Sequence, residues 1–472
     1  MYAQSVVQEV TERLPFTIEL ALAAFVAVVL LGALAGFVRA RVRAPVLREV
    51  LSVPPLLGRA MPVVILSLFL QLGMMFTGLP VAGASASDAF DLRDRLLHLI
   101  APVLCSVVPF AAWSSLIFFD FFRGPNDTAR VRVHSLLAPL ASTAASIGPA
   151  LLASSLLFVE PRFAWPGIGR LLYNGLGQFD FGLVATCLLV YAAGVMLMKL
   201  CGRLAPAMSD GVPPGSDAPQ APARRRARIS VLAALALVVL LVAIVGALGA
   251  DVIAPIGPYY IDQVHWEGYP LPPGTAGHVL GTEENGRDLL ARLLVALRYS
   301  LGIAAFAALV AAAIAALVAK AAKALPWFDG RSAPGTAGIR PFAALPFIMA
   351  AIMLLVAAVH NDRFLKPIFI ALMIAVVSWP AIVSAFRGFG RARLASVVDV
   401  AACALLLEVT QSSIGWGVQP PAPSLGNMLV NAQSNVTVAP WAAIIPSAVT
   451  VVVLFALYAL GDELRERARP VL

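Results

Sequence analysis

The sequence predicts an all-α polytopic membrane protein. Three observations carry that reading. Sixty per cent of the 472 residues are hydrophobic, 13% are charged and the mean hydropathy is +0.87, whereas soluble domains are roughly a quarter charged. The apolar runs are about 18 to 25 residues long, which at 1.5 Å per residue matches a hydrocarbon core of roughly 30 Å. An open strand cannot satisfy its backbone in lipid, so runs of this length cross as helices.

In chain order, spans are expected near residues 16–38, 56–78, 97–119, 136–158, 181–199, 230–249, 300–319, 344–359, 368–386, 395–414 and 441–460, about eleven in all. The opening MYAQSVVQEVTERLP is neutral to acidic and precedes a span of full length. It lacks the positive n-region of a cleavable signal peptide and is expected to be retained. With residue 1 outside, the loops RARVR, RGPNDTARVR, KLCGR, RRRAR, KAAK, RGFGRAR and RERAR face inward, placing roughly 23 cations inside against 10 outside. The net charge of +8 therefore reads as topology and attraction to anionic headgroups. No soluble basic domain is left to hold nucleic acid, so none is expected as a partner.

Cys105, Cys187, Cys201 and Cys403 share no C-x-x-C spacing, and His98, His134, His265, His278 and His360 show no H-x-x-x-H pairing. Neither a disulfide framework nor a zinc site is indicated, and no cofactor is expected in this chain. There is also no G-x-x-x-x-G-K-[ST] loop to wrap phosphates and no triad or enclosed carboxylate pair, so no catalytic residue is assigned.

The stretch APAMSDGVPPGSDAPQAPARRRAR reads as a flexible cytoplasmic tether, residues 205–229, pinned by Arg224, Arg225, Arg226 and Arg228. It separates residues 1–204, with about five spans, from residues 230–472, with about six and an outer segment at 250–298. Similar patterns recur on both sides. ERLPFTIELALAAFVAVVLLGALAGF and ALRYSLGIAAFAALVAAAIAALVAKAAK enter the membrane in the same sense, and each half later carries a Trp/Pro/Gly outer loop before a last span ending in cations. The expectation is two parallel, pseudo-symmetric bundles with a pathway between them.

Three motifs carry chemistry. HVLGTEENGRDLLARLLVALRYSLG, with Thr282, Glu283, Gly286, Arg287 and Asp288, resembles the G-T-D-x-x-G-R-D segment of the C-type permease subunit of dipeptide, oligopeptide and nickel ABC importers. GWGVQPPAPSLGNML, with Gln419, Pro420, Pro421 and Asn427, resembles a second hallmark of that subunit. VEPRFAWPGIGRLL, with Trp165, Pro166 and Gly167, resembles the equivalent outer loop of the B-type subunit. The chain thus resembles a B-type and a C-type permease fused through the tether, with the type I ABC importer fold. The resemblance implies separate cytoplasmic ATPase subunits, a periplasmic or lipid-anchored solute-binding protein, a bacterial inner-membrane location with the C terminus inside, and a peptide or nickel as solute.

Physical chemistry fits an outer-surface device. Thr282 is a candidate N-cap, Glu283, Glu284 and Asp288 suit the first helical turns, and Leu289, Leu290, Leu293, Leu294 and Leu297 make one apolar stripe. The expectation is a helix lying in the interface plane. Trp165, Trp416 and Trp441 are expected in an aromatic belt. Among polar groups at membrane depth, Glu408, Gln411, Ser378 and Asp399 in the second half, and Arg59, Gln71, Ser114, Ser142 and Thr143 in the first, either line the pathway or bridge helices.

The cytoplasmic loops depart from the resemblance. FFDFFRGPNDTARVRVHSLLAPL and SAFRGFGRARLASVVDV lack the E-A-A pattern of a coupling helix. Asp127, Arg130, Arg132, Arg387, Arg391 and Arg393 are the candidates for an alternative ATPase contact, or serve only as positive-inside charges. A degenerate permease acting as a structural or regulatory subunit is the alternative function.

Overall fold

Helices far longer than those of soluble domains build the chain. The structure, a computed structural model, describes residues 2–42, 44, 47, 50–80, 82–84, 91–123, 136–208, 230–254, 256–261, 270–321, 365–387, 391–433 and 435–468. Backbone proximity divides it into two compact units, the first holding the described residues up to Met208 and the second those from Ser230 onward. The last helix of the first unit thus reaches four residues into the expected tether, whose remainder lies outside the described residues.

The first unit opens with α1, Tyr2–Arg41, which at 40 residues is about 60 Å long, twice the hydrocarbon core. Helices α2, Val53–Ala60, and α3, Val63–Thr77, form one apolar pair bent by 93°. The bend falls at Pro62, which is extended (ψ 138°) and has no N–H to donate. Helix α4, Leu92–Arg123, runs parallel to α1 and packs along it. The small-x-x-x-small pair Gly32 and Gly36 allows that approach: a Cβ at Gly32 would stand 2.5 Å from Ser114 Oγ, and one at Gly36 2.7 Å from the Phe119 nitrogen. Then come α5, Leu137–Ser146, and α6, Gly148–Arg162, bent 43° from each other beside Pro149. A π-helical turn, Ser155–Val159, adds a residue within α6. A short helix α7, Ile168–Gln178, and the span α8, Phe181–Met208, complete the unit.

The second unit adds a leading span, α9, Val231–Leu248, and then repeats the plan. Ser230 caps α9 by accepting from Ala233 N at 3.2 Å and donates to Glu463 Oε2 at 2.7 Å. Helix α10, Leu289–Ala321, packs on α11, Leu365–Arg387, as α1 packs on α4. Helices α12, Arg391–Ser413, α13, Leu425–Gln433, and α14, Pro440–Ala468, follow. Thr17, Gly32 and Gly36 of α1 share one offset with Ser300, Ala315 and Ala319 of α10. Ser114 and Arg123 of α4 likewise share one with Ser378 and Arg387 of α11.

Among the described residues six helices are long and apolar enough to span a membrane, or eight if each bent pair is one span. The expected count of eleven is not confirmed by the described residues. Residues 344–359 lie outside the described residues, the side chains of α11 are described only in part, and α12 is not among the six. Asp399, Glu408 and Gln411 are polar residues within it. The fold is nonetheless that of an all-α polytopic membrane protein.

Candidate functional site

Each unit builds the same device: a long helix ends in a left-handed turn, and a short helix folds back onto an earlier long helix, α1 in the first unit and α10 in the second. In the first unit Trp165 N donates to Glu160 O (2.9 Å) and Ala164 N to Pro161 O (3.3 Å), with Ala164 at φ 50°. In the second unit Trp416 N donates to Gln411 O (3.0 Å) and Gly415 N to Ser412 O (3.3 Å), with Gly415 at φ 82°. Both are Schellman-type ends, with a positive φ at the residue before a tryptophan. They make Glu160 and Gln411 equivalent positions.

The short helices are seated by hydroxyls from those long helices. Thr17 Oγ1 of α1 accepts from Ile168 N at 2.9 Å, and Ser300 Oγ of α10 accepts from Leu425 N at 3.2 Å. In the first unit Glu160, fully buried, accepts directly from Gly169 N at 2.6 Å, so a carboxylate caps the positive end of α7. In the second unit Ser412 Oγ accepts from Val418 N (3.0 Å) and donates to Glu408 Oε1 (2.8 Å). Ser424 and Asn427 complete a reciprocal cap, since Asn427 N donates to Ser424 Oγ (3.3 Å) and Ser424 N to Asn427 Oδ1 (3.0 Å). Asn427 Nδ2 also donates to Val418 O and Ala422 O, which fixes the loop carrying Gln419, Pro420 and Pro421. Gly169 and Gly426 press against the carbonyls of Leu156 and Val409, where any side chain would collide.

The GTEENGRD segment is a buried knot. Thr282 Oγ1 accepts from Leu271 N at 2.8 Å, and Thr282 O accepts from the Trp441 indole N–H at 3.3 Å. Glu283 pairs with Arg287 and, at 2.8 Å, with Arg292, itself fully buried. Gly286 turns the chain at φ 71°, and His278 Nδ1 lies 2.8 Å from Asp288 Oδ1. Asp288 Oδ2 accepts from Ala291 N at 2.8 Å. Two expectations are thereby corrected. The N-cap is Asp288, not Thr282. No separate helix lies in the interface plane, because α10 starts at Leu289 and continues unbroken, turning Leu289, Leu293 and Leu297 into the protein. Glu284 is half-buried beside Asn435, and Asn285 is exposed.

Trp165 also departs from expectation: it is fully buried, with its indole N–H donating to Phe16 O at 2.9 Å, and so is no lipid-facing belt residue. Pro166 and Gly167 follow it in the turn. Gln71 Nε2 donates to Arg162 O at 2.8 Å, Thr143 Oγ1 bonds within its helix to Pro139 O, and Ser142 is half-buried. Ser378, Glu408 and Gln411 are fully buried inside their own unit. Asp399 pairs with Arg465 of α14. Arg393 donates to Phe386 O at 3.2 Å. Asp127, Arg130 and Arg132 lie outside the described residues, and Arg387 and Arg391 stand at facing helix ends with side chains outside them. Among the described residues no three His, Cys, Asp or Glu side chains converge on a metal-sized point. Sequence reasoning missed Thr17, Glu160, Ser300, Ser412 and Ser424. The available signal was a hydroxyl at one constant offset in α1 and α10.

No family model matches the chain. Curated proteins do. The oligopeptide transport system permease protein OppC of Mycobacterium tuberculosis is 26% identical over 253 residues, 47% of this chain and 85% of that protein. The di/tripeptide transport system permease protein DppC of Pseudomonas aeruginosa is 30% identical over 236 residues, 43% of this chain and 75% of that protein. The chain belongs to this family of peptide transport-system permeases. A putative peptide permease protein of Brucella suis is also similar, 28% identical over 227 residues, 41% of this chain and 73% of that protein. As a member of the permease family the chain is a transport subunit of the membrane. Each of these matches spans less than half of it.

Proposed function

We propose that the chain joins two permease halves, B-type in residues 1–204 and C-type in 230–472, through the tether at 205–229. It moves a peptide or related small solute inward by alternating access. The observation that supports this most is the repeated device: the same left-handed helix end, tryptophan and hydroxyl-seated short helix occur in both units, while each relative cited matches less than half the chain. In this reading the chain sits in a bacterial inner membrane, residue 1 outside and the C terminus inside. Separate cytoplasmic ATPase subunits supply the power stroke, and an external binding protein delivers solute to the surface around Glu284, Asn285, Pro420 and Pro421. Glu408 and Gln411 belong to the packing inside their own unit, in keeping with their full burial.

The test is capture of partners by the tagged chain in mild detergent, followed by reconstitution. A co-purifying ATPase whose hydrolysis rises with binding protein, together with ATP-driven uptake of labelled peptide, supports the proposal. Uptake of nickel but not peptide reassigns the solute. The missing E-A-A pattern favours a second reading, a permease-derived structural subunit, and persistent absence of any ATPase from the folded chain supports it.

A further inference from the structure

Glu160 and Glu408 pose one physical problem, a fully buried carboxyl at the repeated device of its unit, and resolve it differently. Glu160 is met by the main-chain N–H of Gly169 at the positive end of α7. Glu408 meets no main-chain N–H. Ser412 donates to its Oε1, the hydroxyls of Ser300 and Ser424 face the same carboxyl, and Oε2 closes no hydrogen bond among the described residues. No Lys, Arg or His among the described residues pairs with it. One turn along the same helix face, Gln411 is fully buried with neither amide atom hydrogen-bonded among the described residues. A buried carboxyl without a counter-charge and a buried amide without a partner are each costly, and here they lie three residues apart on one helix.

We propose that Glu408, Gln411 and the Ser300, Ser412 and Ser424 hydroxyls bind a small monovalent cation, sodium, within the second unit. The donor set is hard: carboxylate, amide and hydroxyl oxygens suit alkali and alkaline-earth ions, not softer metals. Its charge selects the valence. One carboxylate neutralises one positive charge, whereas a divalent ion would leave an excess charge in a low-dielectric interior. Its enclosure suits a small, dehydrated ion, because Glu408 Oε2 and both Gln411 amide atoms are buried without a hydrogen-bond partner among the described residues. The three hydroxyls also accept from Leu425 N, Val418 N and Asn427 N, so an ion at their carboxyl partner stiffens the seat of α13. Among the described residues the first unit shows no such site, since the carboxyl of Glu160 is already met by N–H and hydroxyl donors.

The experiment is thermal unfolding of the purified full-length chain in sodium, potassium or N-methylglucamine chloride at equal ionic strength and pH, with the variants Glu408→Gln and Glu160→Gln. The expected result is a Tm about 3 °C or more higher in sodium than in the other two salts, rising with sodium concentration. Glu408→Gln, a neutral isostere, abolishes the difference, and Glu160→Gln keeps it. A wild-type Tm indifferent to the cation overturns the proposal, as does a sodium effect that survives in Glu408→Gln, or stabilisation that follows pH without following sodium. Should Glu408→Gln not be recovered folded, Gln411→Met reads the same site: its sodium effect is at most half that of wild type, and an undiminished effect overturns the proposal.

Discussion

The two halves hold equivalent short helices by different chemistry. In the first, the Glu160 carboxylate reaches α7 in one step, and Thr17 takes the adjacent N–H. In the second, Glu408 reaches α13 only through serines, each of which also accepts from the main chain. A carboxylate bonded directly to N–H groups is committed to accepting. Hydroxyls donate or accept, so a serine-lined carboxyl tolerates a change of charge. The comparison teaches that a repeat conserves the position of the helix end it must satisfy while the atoms that satisfy it differ.

The largest expected contrast lies where the halves differ in burial. Arg292→Ala leaves Glu283 buried beside only Arg287 and is expected to cost about 3–5 kcal/mol in chemical unfolding. Arg95→Ala breaks the Glu19 pair in the first half, where both groups remain partly exposed, and is expected to cost about 1 kcal/mol or less. Equal losses would erase the distinction between the halves. Next comes the carboxyl comparison itself: in sodium-free buffer Glu160→Gln should cost about 1.5–3 kcal/mol, because it removes a charge that caps α7. Glu408→Gln should cost under about 1 kcal/mol, since Ser412, which already donates to Oε1, donates equally well to an amide oxygen there. The reverse order would mean that the serines do not relay. The smallest effects test the helix ends: Ala164→Gly should stabilise and Gly415→Ala destabilise, each by about 1 kcal/mol, because both positions have positive φ. Matching signs would show that the turns are not equivalent.

Much of the fold was legible because its signals are local. Run length marked α1, α4, α8, α9, α10 and α14, and Pro62 and Pro149 stand at the breaks of the two bent pairs. The apolar stripe at Leu289, Leu293 and Leu297 is helical as its period implies. Periodicity, however, does not say where a helix begins or whether it continues, and α10 runs on through Arg298, which bonds Ala247 O and Asp251 instead of ending the helix. The site was less legible because its bonds join distant residues. Nothing near Glu160 announces Thr17, and Trp165 looks like a belt residue until its N–H is traced to Phe16 O. Polar α12 reads as a span from its leucines and alanines, yet Asp399, Glu408 and Gln411 are turned inward among the serines and Arg465.

The account rests on two halves that enter the membrane in the same sense. Single cysteines at Gly177, in the last turn of α7, and at Thr437, beyond α13, both exposed, can be introduced into a chain freed of Cys105, Cys187, Cys201 and Cys403, with a third variant at Ser216 in the tether. Labelling of sealed, oriented vesicles with an impermeant maleimide should modify 177 and 437 from the outer face and 216 from the inner face. Modification of 177 and 437 from opposite faces would contradict parallel halves, and with them the proposed shared pathway.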